Sequence, residues 1–263
     1  MPRPEVMKNM LNDNSALITS RLTKGEEYKH ALVSTNISEV ILLSPITSNN
    51  AFVFPLYLYK KNEKTTNLNS GMIKILIEVY NQKLTPEEVL SYIYAVLYSN
   101  IYRKKYIEFL KTDFPRVPFT TNYNLFVRMA SLGKKLVDLH LMKSEELNYP
   151  IAKFRGIGDN LVEKLAYKED ENRVYINKIQ YFENVEKAVW GYQIGGYQVL
   201  YKWLKDRAGR KLLLDDIKHY CKVVTAIKKT IDIQNEIDKL YPEIESGIIE
   251  FKENNENLEK YVK

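Results

Sequence analysis

Residues 51–59 have the sequence Ala-Phe-Val-Phe-Pro-Leu-Tyr-Leu-Tyr. β-Branched and aromatic side chains of this kind favour a β-strand. Pro55 has no amide hydrogen to donate to a sheet, so we expect this strand at a sheet edge or at a bulge. Short apolar runs separated by polar turns precede it, and we predict strands in them at residues 16–18, 31–33 and 40–43.

The chain after this β-rich part has a helical pattern of apolar residues. Residues 60–70 are polar and predict a loop. Thr85 is followed by a proline and two glutamates, which is typical of a capped helix N-terminus, and the helical spacing continues toward Leu110. The prolines within residues 113–119, Asp-Phe-Pro-Arg-Val-Pro-Phe, must end this helix. A further helix is predicted from about residue 122 to 141.

The last third of the chain returns to strands before one long helix. Residues 161–179 alternate around the polar turn 168–172, which predicts a β-hairpin. A 3.6-residue apolar period predicts a helix over residues 215–240. After Pro242 the composition becomes acidic and Asn-rich, so we expect a weakly held helix or a frayed tail.

These elements predict an α+β fold. We divide the chain into a mostly β part at residues 1–70, a helical block at 71–150, and a small β unit with a long C-terminal helix and acidic tail at 151–263. The default role of the long helix is to contact the central helices.

Composition limits the possible functions only weakly. The 263 residues include 39 Lys and Arg against 33 Asp and Glu, a formal charge of +6 and a pI of about 9.0. This excess suits an anionic partner such as the DNA backbone, but an AT-rich genome that favours lysine codons gives the same balance. No apolar run is long enough to span a bilayer, and the N-terminus lacks the apolar stretch of a signal peptide, so we expect a cytoplasmic protein.

Cysteine, histidine and tyrosine content gives further limits. A single cysteine, Cys221, excludes an internal disulfide, and three scattered histidines give no metal-ligand spacing, so we expect no metal site. The 20 tyrosines, against 9 Phe and 2 Trp, would suit a surface that binds a polar partner. We assign most of them to the core instead, with their hydroxyls reaching water.

Catalytic signatures are absent from the sequence. We find no phosphate-binding loop, no nucleophile elbow, no zinc-protease motif, no Asn/Asp-Pro-Pro-Tyr/Phe tetrapeptide and no convincing methyl-donor loop. Residues 156–160, Gly-Ile-Gly-Asp-Asn, are interpreted as a turn rather than a nucleotide site. Acid–lysine pairs at Glu163-Lys164 and Asp238-Lys239 leave a nuclease open as a third alternative, although convergent acids are missing.

Basic and aromatic residues alternate in residues 190–211. Gly195 and Gly196 allow close approach of the backbone to a ligand or to a neighbouring strand, and the nearby Lys and Arg side chains could neutralise phosphates. The alternative is a short helix packed through Tyr197, Leu200, Trp203 and Leu204, with solvated bases; residue types leave both open. The segments 20–25 and 44–50 carry amides, hydroxyls and bases that suit DNA, but such residues also form ordinary turns.

Several segments, taken in order, resemble a known family. They are Leu-Ile-Thr-Ser-Arg at 17–21, Thr-Lys-Gly-Glu-Glu at 23–27, Ser-Asn-Asn-Ala-Phe-Val-Phe-Pro-Leu-Tyr at 48–57, residues 113–119, Val-Tyr-Ile-Asn-Lys at 174–178 and Ile-Gly-Gly-Tyr at 194–197. Together they look like the C-terminal specificity domain of type ISP restriction-modification enzymes and related single-chain, adenine-specific DNA methyltransferases. The likeness runs to about residue 240.

The resemblance implies that this chain reads the target sequence in duplex DNA. Catalysis would belong to methyltransferase and nuclease domains that are absent here, which would need S-adenosylmethionine and Mg²⁺, whereas this chain would hold no cofactor and no catalytic residue. Because Met1-Pro2-Arg3-Pro4 begins within a family motif, we expect a piece trimmed from a longer polypeptide rather than a remnant gene. The alternative is a docking module that couples enzyme domains without reading bases.

Segments shared by the whole family cannot easily distinguish target sites, so we assign them to scaffold or phosphate contacts. Base contacts are expected instead in loops 60–69 and 153–160 and near Lys178 and Gln180. The complete set of predicted DNA-binding residues is Arg21, Lys24, Ser48, Asn49, Asn50, Arg116, Lys153, Arg155, Lys178, Gln180, Tyr192, Lys202, Lys205, Arg207, Arg210 and Lys211.

Overall fold

The computed structural model describes residues 3–43, 50–61 and 63–251. It combines 45% helix with 17% strand in several small sheets, which confirms the α+β class. The strands are β1 (Ala16–Ser20), β2 (Ala31–Ser34), β3 (Ala51–Pro55), β4 (Tyr57–Lys60), β5 (Glu63–Thr66), β6 (Lys153–Arg155), β7 (Ala166–Lys168), β8 (Arg173–Tyr175), β9 (Tyr181–Glu183), β10 (Gln193–Ile194) and β11 (Tyr197–Gln198).

The helices lie mainly between and after these strands. They are α1 (Pro4–Met7), α2 (Ser70–Tyr80), α3 (Pro86–Tyr98), α4 (Asn100–Lys105), α5 (Ile107–Thr112), α6 (Tyr123–His140), α7 (Lys187–Trp190), α8 (Val199–Lys205) and α9 (Leu214–Glu245), with 3-10 turns at Lys8–Leu11 and Glu145–Asn148. None of the helices in the described part of the chain combines the length and apolar character that crossing a bilayer requires.

The N-terminal sheet has the antiparallel order β2-β1-β3. Ala16 and Ile18 of the central strand are fully buried. β3 is an edge strand and Pro55 is its last residue, opposite Ala16, as its missing amide hydrogen predicts. The strand predicted at 40–43 is wrong: these residues form a turn, in which Ile41 and Leu42 are exposed and do not line a sheet.

The polar segment after β4 also differs from the prediction. β5 pairs with β4 in an antiparallel hairpin, so the expected loop at 60–70 is wrong over Glu63–Thr66. All four residues of β5 are exposed. Because neither face of this strand is buried, it lacks the apolar alternation by which strands are recognised in sequences.

The helical block is centred on the close contact between α3 and α6. Thr85 caps α3 as predicted, through a reciprocal pair of bonds with Glu88, and α6 has nearly the predicted bounds. The helix expected to continue to Leu110 instead ends at Tyr98, because Ser99 adopts extended backbone and caps α4 through Tyr102 N. Asp238 of α9 fixes this break by accepting the Ser99 hydroxyl at 2.7 Å.

The third part is a four-stranded sheet with the order β6-β9-β8-β7, in which β7 and β8 form the predicted hairpin. Helix α9 begins beneath this sheet, where Tyr220 and Val224 are buried, and continues into the helical block through Ile237 and Ile244. The predicted end near residue 240 is wrong, because α9 passes through Pro242 to Glu245. The tail from residue 252 onward lies outside the described residues.

Three buried tyrosines donate their hydroxyls to backbone carbonyls of the segment 113–120. Tyr80 donates to the Thr120 carbonyl at 2.6 Å, Tyr92 to the Pro118 carbonyl at 2.9 Å and Tyr102 to the Arg116 carbonyl at 2.9 Å. Burial raises the pKa of each of these phenols. The prediction that tyrosine rings lie in the core is therefore confirmed for these three residues. Their hydroxyls were expected to reach water, but they hold the extended segment 113–120 against the helices.

Candidate nucleic-acid interface

One group of predicted residues meets where β1 and β3 pair and end together. Ser20 lies opposite Ala51, so Arg21 and Asn50 follow and precede paired residues at the same end of the sheet. The Arg21 Nε donates to Asp113 Oδ1 at 3.1 Å, which brings the segment containing Arg116 to this end. We call Arg21, Lys24, Asn50 and residues 113–116 the sheet-end cluster.

The charges of the sheet-end cluster are only partly neutralised within it. The pKa of Asp113 is lowered, first by the backbone amide of Phe114 and then by Arg21. Arg116 is exposed and makes no ion pair with any described residue. Lys24 is also exposed, and its backbone has a positive φ. Ser48 and Asn49 were also predicted here, but both lie outside the described residues.

A second group lies on the small β unit, where three loops meet. Residues 156–161 follow β6, residues 176–180 connect β8 to β9, and residues 207–212 connect α8 to α9. Leu161 and Lys211 pair as an isolated bridge, and the Leu212 amide donates to the Asn160 carbonyl at 2.9 Å. We call these segments the three-loop cluster.

Amide side chains hold the three-loop cluster together. Gln180 Oε1 accepts from the Asn160 backbone amide at 2.8 Å and from Asn177 Nδ2 at 3.0 Å, and Gln180 Nε2 donates to Asn160 Oδ1 at 2.8 Å. Asn177 Nδ2 also donates to the Leu161 carbonyl at 3.0 Å. With 1% of its surface exposed, Gln180 supports the loops and does not present its amide to a ligand.

The cations of the three-loop cluster fall into two kinds. Arg155 pairs with Glu183 at 2.8 Å, and Lys211 pairs with Asp159 at 3.2 Å. The pKa of Asp159 is lowered, first by the Leu161 amide and then by Lys211. Lys178 and Arg210 are exposed and form no ion pair with any residue that the structure describes, as is also true of Lys153 in β6.

The remaining predicted residues lie near α8, where most of their side chains contact an aromatic ring or a carboxylate. The Arg207 guanidinium lies 3.5 Å from the centre of the Trp203 ring and pairs with Asp216. Lys202 pairs with Asp206, and Lys205 lies 5.7 Å from the Tyr201 ring centre. α8 packs against the core through Leu200 and Leu204, as expected from the alternative that this segment forms a short packed helix.

The two glycines before α8 approach another part of the chain. A Cβ on Gly195 would lie 2.0 Å from the Leu43 carbonyl oxygen, and the Gly196 amide donates to that oxygen at 3.0 Å. The β10–β11 hairpin therefore docks on the N-terminal part. The hydroxyl of the half-buried Tyr192 donates to Gln234 at 3.0 Å, which directs it into the molecule.

The acid–lysine pair at Asp238-Lys239, one of the two named for the nuclease alternative, has a structural role through Asp238. Asp238 accepts from Ser99, from Asn100 Nδ2 at 2.9 Å and from the Ile101 amide, so its carboxylate caps α4. No group of three or more His, Cys, Asp or Glu residues within the described ranges could hold a metal ion.

Sequence reasoning missed the Asn160–Asn177–Gln180 network and the exposed Ile157 beside it. The only signal was the pair of glycines at 156 and 158. The backbone at these positions lies against Ile179 and Gln180, where added Cβ atoms would lie 2.2 Å and 2.7 Å from the nearest atoms.

Comparison with known proteins identifies relatives of this chain. The family model described as the Type ISP C-terminal specificity domain matches residues 1–236. No curated protein matches the chain. Among solved structures, a DrdV–DNA complex shares 19% identity and a TM-score of 0.74 over 89% of this chain and 26% of that chain.

Two further solved structures have the same fold. The ATP-dependent Type ISP restriction-modification enzyme LlaBIII bound to DNA shares 20% identity, with a TM-score of 0.65 over 86% of this chain and 16% of its own. A nuclease-deletion mutant of the Type ISP enzyme LlaGI, in complex with a DNA substrate mimic, shares 21% identity, with a TM-score of 0.60 over 86% and 21%. The chain thus spans about a quarter or less of the solved chains it matches. By its family match over most of its length, the chain belongs to the Type ISP C-terminal specificity domains.

Proposed function

We propose that this chain recognises a short sequence in duplex DNA as the specificity domain of a longer restriction-modification DNA methyltransferase. The observation that carries the proposal is the three-loop cluster. It presents Lys178 and Arg210 without acidic partners among the described residues, on loops held together by the amide side chains described above. Unpaired cations on a stiff surface can replace the counterions of DNA phosphates without first losing an ion pair of their own.

The sheet-end cluster adds a second set of polar groups. Arg116 supplies a further unpaired cation there, and Asn50 an exposed amide. Phosphate contacts position a protein on DNA, whereas amides and guanidiniums that reach base edges give specificity. The family match and the DNA complexes of its structural neighbours support the same assignment.

Catalysis belongs, in this proposal, to the rest of the longer polypeptide. A methyltransferase domain using S-adenosylmethionine would act on an adenine flipped from the recognised site, with Mg²⁺ serving the nuclease. That domain would be the protein partner of this chain, and the cytoplasm would be its compartment.

A salt titration tests the proposal. We expect the 263-residue chain to bind a 30-base-pair duplex, with an affinity that falls steeply as salt rises, by about 0.9 log units per log unit of salt for each phosphate neutralised. Footprinting on a random duplex library should then show a protected consensus. A flat salt dependence, or binding without any sequence preference, would instead support the docking alternative.

A further inference from the structure

Ile157 forms the tip of the first loop of the three-loop cluster. Its side chain is 96% exposed, more than any other large apolar residue in the described part of the chain. Burial of an isoleucine side chain against a partner is favourable relative to leaving it in water. Single exposed apolar residues are common on proteins, so exposure alone decides nothing. The surroundings of Ile157 are what distinguish it.

The backbone on both sides of this tip rests on the second loop of the cluster, at Ile179 and Gln180. Gly156 has φ +94°, and a Cβ there would lie 2.2 Å from the Ile179 carbonyl oxygen. A Cβ at Gly158 would lie 2.7 Å from Gln180 Oε1, the atom that also accepts from the Asn160 amide. Both glycines thus seat the backbone on the next loop while Ile157 projects away from it. A side chain carried on a rigid loop loses little conformational entropy when it is bound.

Cations surround this apolar tip. Lys178 lies on the supporting loop, next to Ile179, which is itself 60% exposed. Arg155 precedes the tip and pairs with Glu183, and the nearby Asp159 pairs with Lys211. The positive charge left without an ion pair among the described residues is that of Lys178 and Arg210. Charge of this sign favours a polyanion as the partner and disfavours an ordinary apolar protein surface.

We infer that Ile157 is a base contact, carried into the major groove to pack against the 5-methyl group of a thymine. This inference rests on the proposed function and extends it to a residue that is neither charged nor polar. The thymine methyl is the apolar feature that the major groove presents to a protein. A β-branched side chain, with few rotamers, suits such a contact.

The test removes the two contacting groups one at a time. Duplexes selected by the 263-residue chain are remade with deoxyuridine at each thymine, which deletes only the methyl group. We expect the chain to lose about fourfold in affinity at one or more positions, the equivalent of ~0.8 kcal/mol for one carbon group. Ile157→Ala should bind the unmodified site about tenfold more weakly and should be insensitive to the methyl deletion.

The matched control is Leu11→Ala, another exposed aliphatic residue at 74% exposure, on the N-terminal 3-10 turn. It should behave as the unmodified chain. The inference is overturned if Ile157→Ala keeps full affinity and the same methyl sensitivity, while the steep salt dependence of the proposed function persists. It is also overturned if Ile157→Ala leaves DNA binding intact and weakens binding of the methyltransferase domain. Absence of any DNA binding by the unmodified chain would refute the proposed function itself.

Discussion

Gln180 is a buried polar residue whose hydrogen bonds hold the surrounding loops together. Its amide group joins Asn160 and Asn177 through bonds of 2.8–3.0 Å. Removal of one partner from a buried network leaves the other groups without their bonds, and each such loss costs about 1–3 kcal/mol. The fixed shape of the three-loop cluster therefore depends on this one side chain more than on any of its exposed cations.

We expect Gln180→Leu to lower the free energy of unfolding by about 2 kcal/mol, because the Asn160 amide loses its acceptor. Urea denaturation followed by circular dichroism measures this change. Gln193→Leu is the matched control, since the side chain of the exposed Gln193 accepts from Lys29 at the surface, and its effect should stay within about 0.5 kcal/mol. Equal losses in the two variants would show that the network is not what holds the loops.

His140 gives the helical block a defined pH dependence. Its Nδ1 lies 2.7 Å from the Tyr94 hydroxyl and its Nε2 lies 2.9 Å from the Thr230 hydroxyl. Burial lowers the pKa of His140 to about 4, with a smaller contribution from Arg103. Because this value lies below the unfolded value of about 6.5, the unfolded chain binds a proton first as the pH falls.

We therefore expect the contribution of neutral His140 to the free energy of unfolding to be fully present above about pH 6.5. It should decline between pH 6.5 and pH 4, by up to about 3 kcal/mol. Urea denaturation across this range measures the slope. In His140→Gln the slope over the same interval should be shallower than in the unmodified chain. An unchanged slope would assign the acid sensitivity to other groups.

At the scale of elements, α3 and α6 meet where Gly133 removes a side chain. A Cβ at Gly133 would lie 1.8 Å from the Ser91 carbonyl oxygen, a contact with backbone that cannot be relieved by rotation. We expect Gly133→Ala to force the two helices apart and to lower the unfolding free energy by about 3 kcal/mol in thermal denaturation. The close contact thus depends on one glycine.

Gly71→Ala provides the comparison for this substitution. Gly71 lies in the first turn of α2, where an added Cβ would lie 3.2 Å from Asn69 Oδ1, the capping oxygen that accepts from Met72 N. This neighbour is an exposed side chain that can shift, not backbone. Alanine is favoured over glycine in helices by about 1 kcal/mol, so this variant should be neutral or slightly more stable. If Gly133→Ala were as stable as Gly71→Ala, the contact with α3 would not be what requires glycine at position 133.

Elements with local signals were predictable from the sequence. The Thr85 cap, α6 after its Asn122 cap, the β7–β8 hairpin and the edge position of Pro55 depend on short stretches of chain. Elements set by distant partners were not. Ser99 ends α3 with the help of Asp238, and α9 continues past Pro242 because Tyr241 and Ile244 are buried there and offset the lost backbone bond.

The candidate site was predictable to the same extent. Residue types and the family resemblance indicated the loops that carry Lys178 and Arg210. The network below them joins residues up to 20 positions apart, Asn160 and Gln180, which no local pattern connects. Tertiary contact also decided that Gln180 and Tyr192 direct their polar groups inward.

At the scale of the whole molecule, long-range contacts connect the two clusters. α9 is shared by the core of the small β unit and that of the helical block. The β10–β11 hairpin adds a second link, since Gly195 donates to the Lys29 carbonyl at 2.8 Å and Gly196 to that of Leu43. A shared helix and a docked hairpin restrict relative movement, which would let both clusters engage one duplex at a fixed spacing.

Charge removal in each cluster tests whether both touch the same DNA. Lys178→Gln in the three-loop cluster and Arg116→Gln in the sheet-end cluster each remove a cation without an ion pair among described residues. Each should lower the slope of log affinity against log salt by about 0.9, and the double variant by about twice that. Lys134→Gln is the control, because Lys134 already pairs with Asp138 at 2.7 Å on α6, and its slope should stay unchanged. If only one variant alters the slope, only that variant's cluster contacts the duplex phosphates through the residue that was changed.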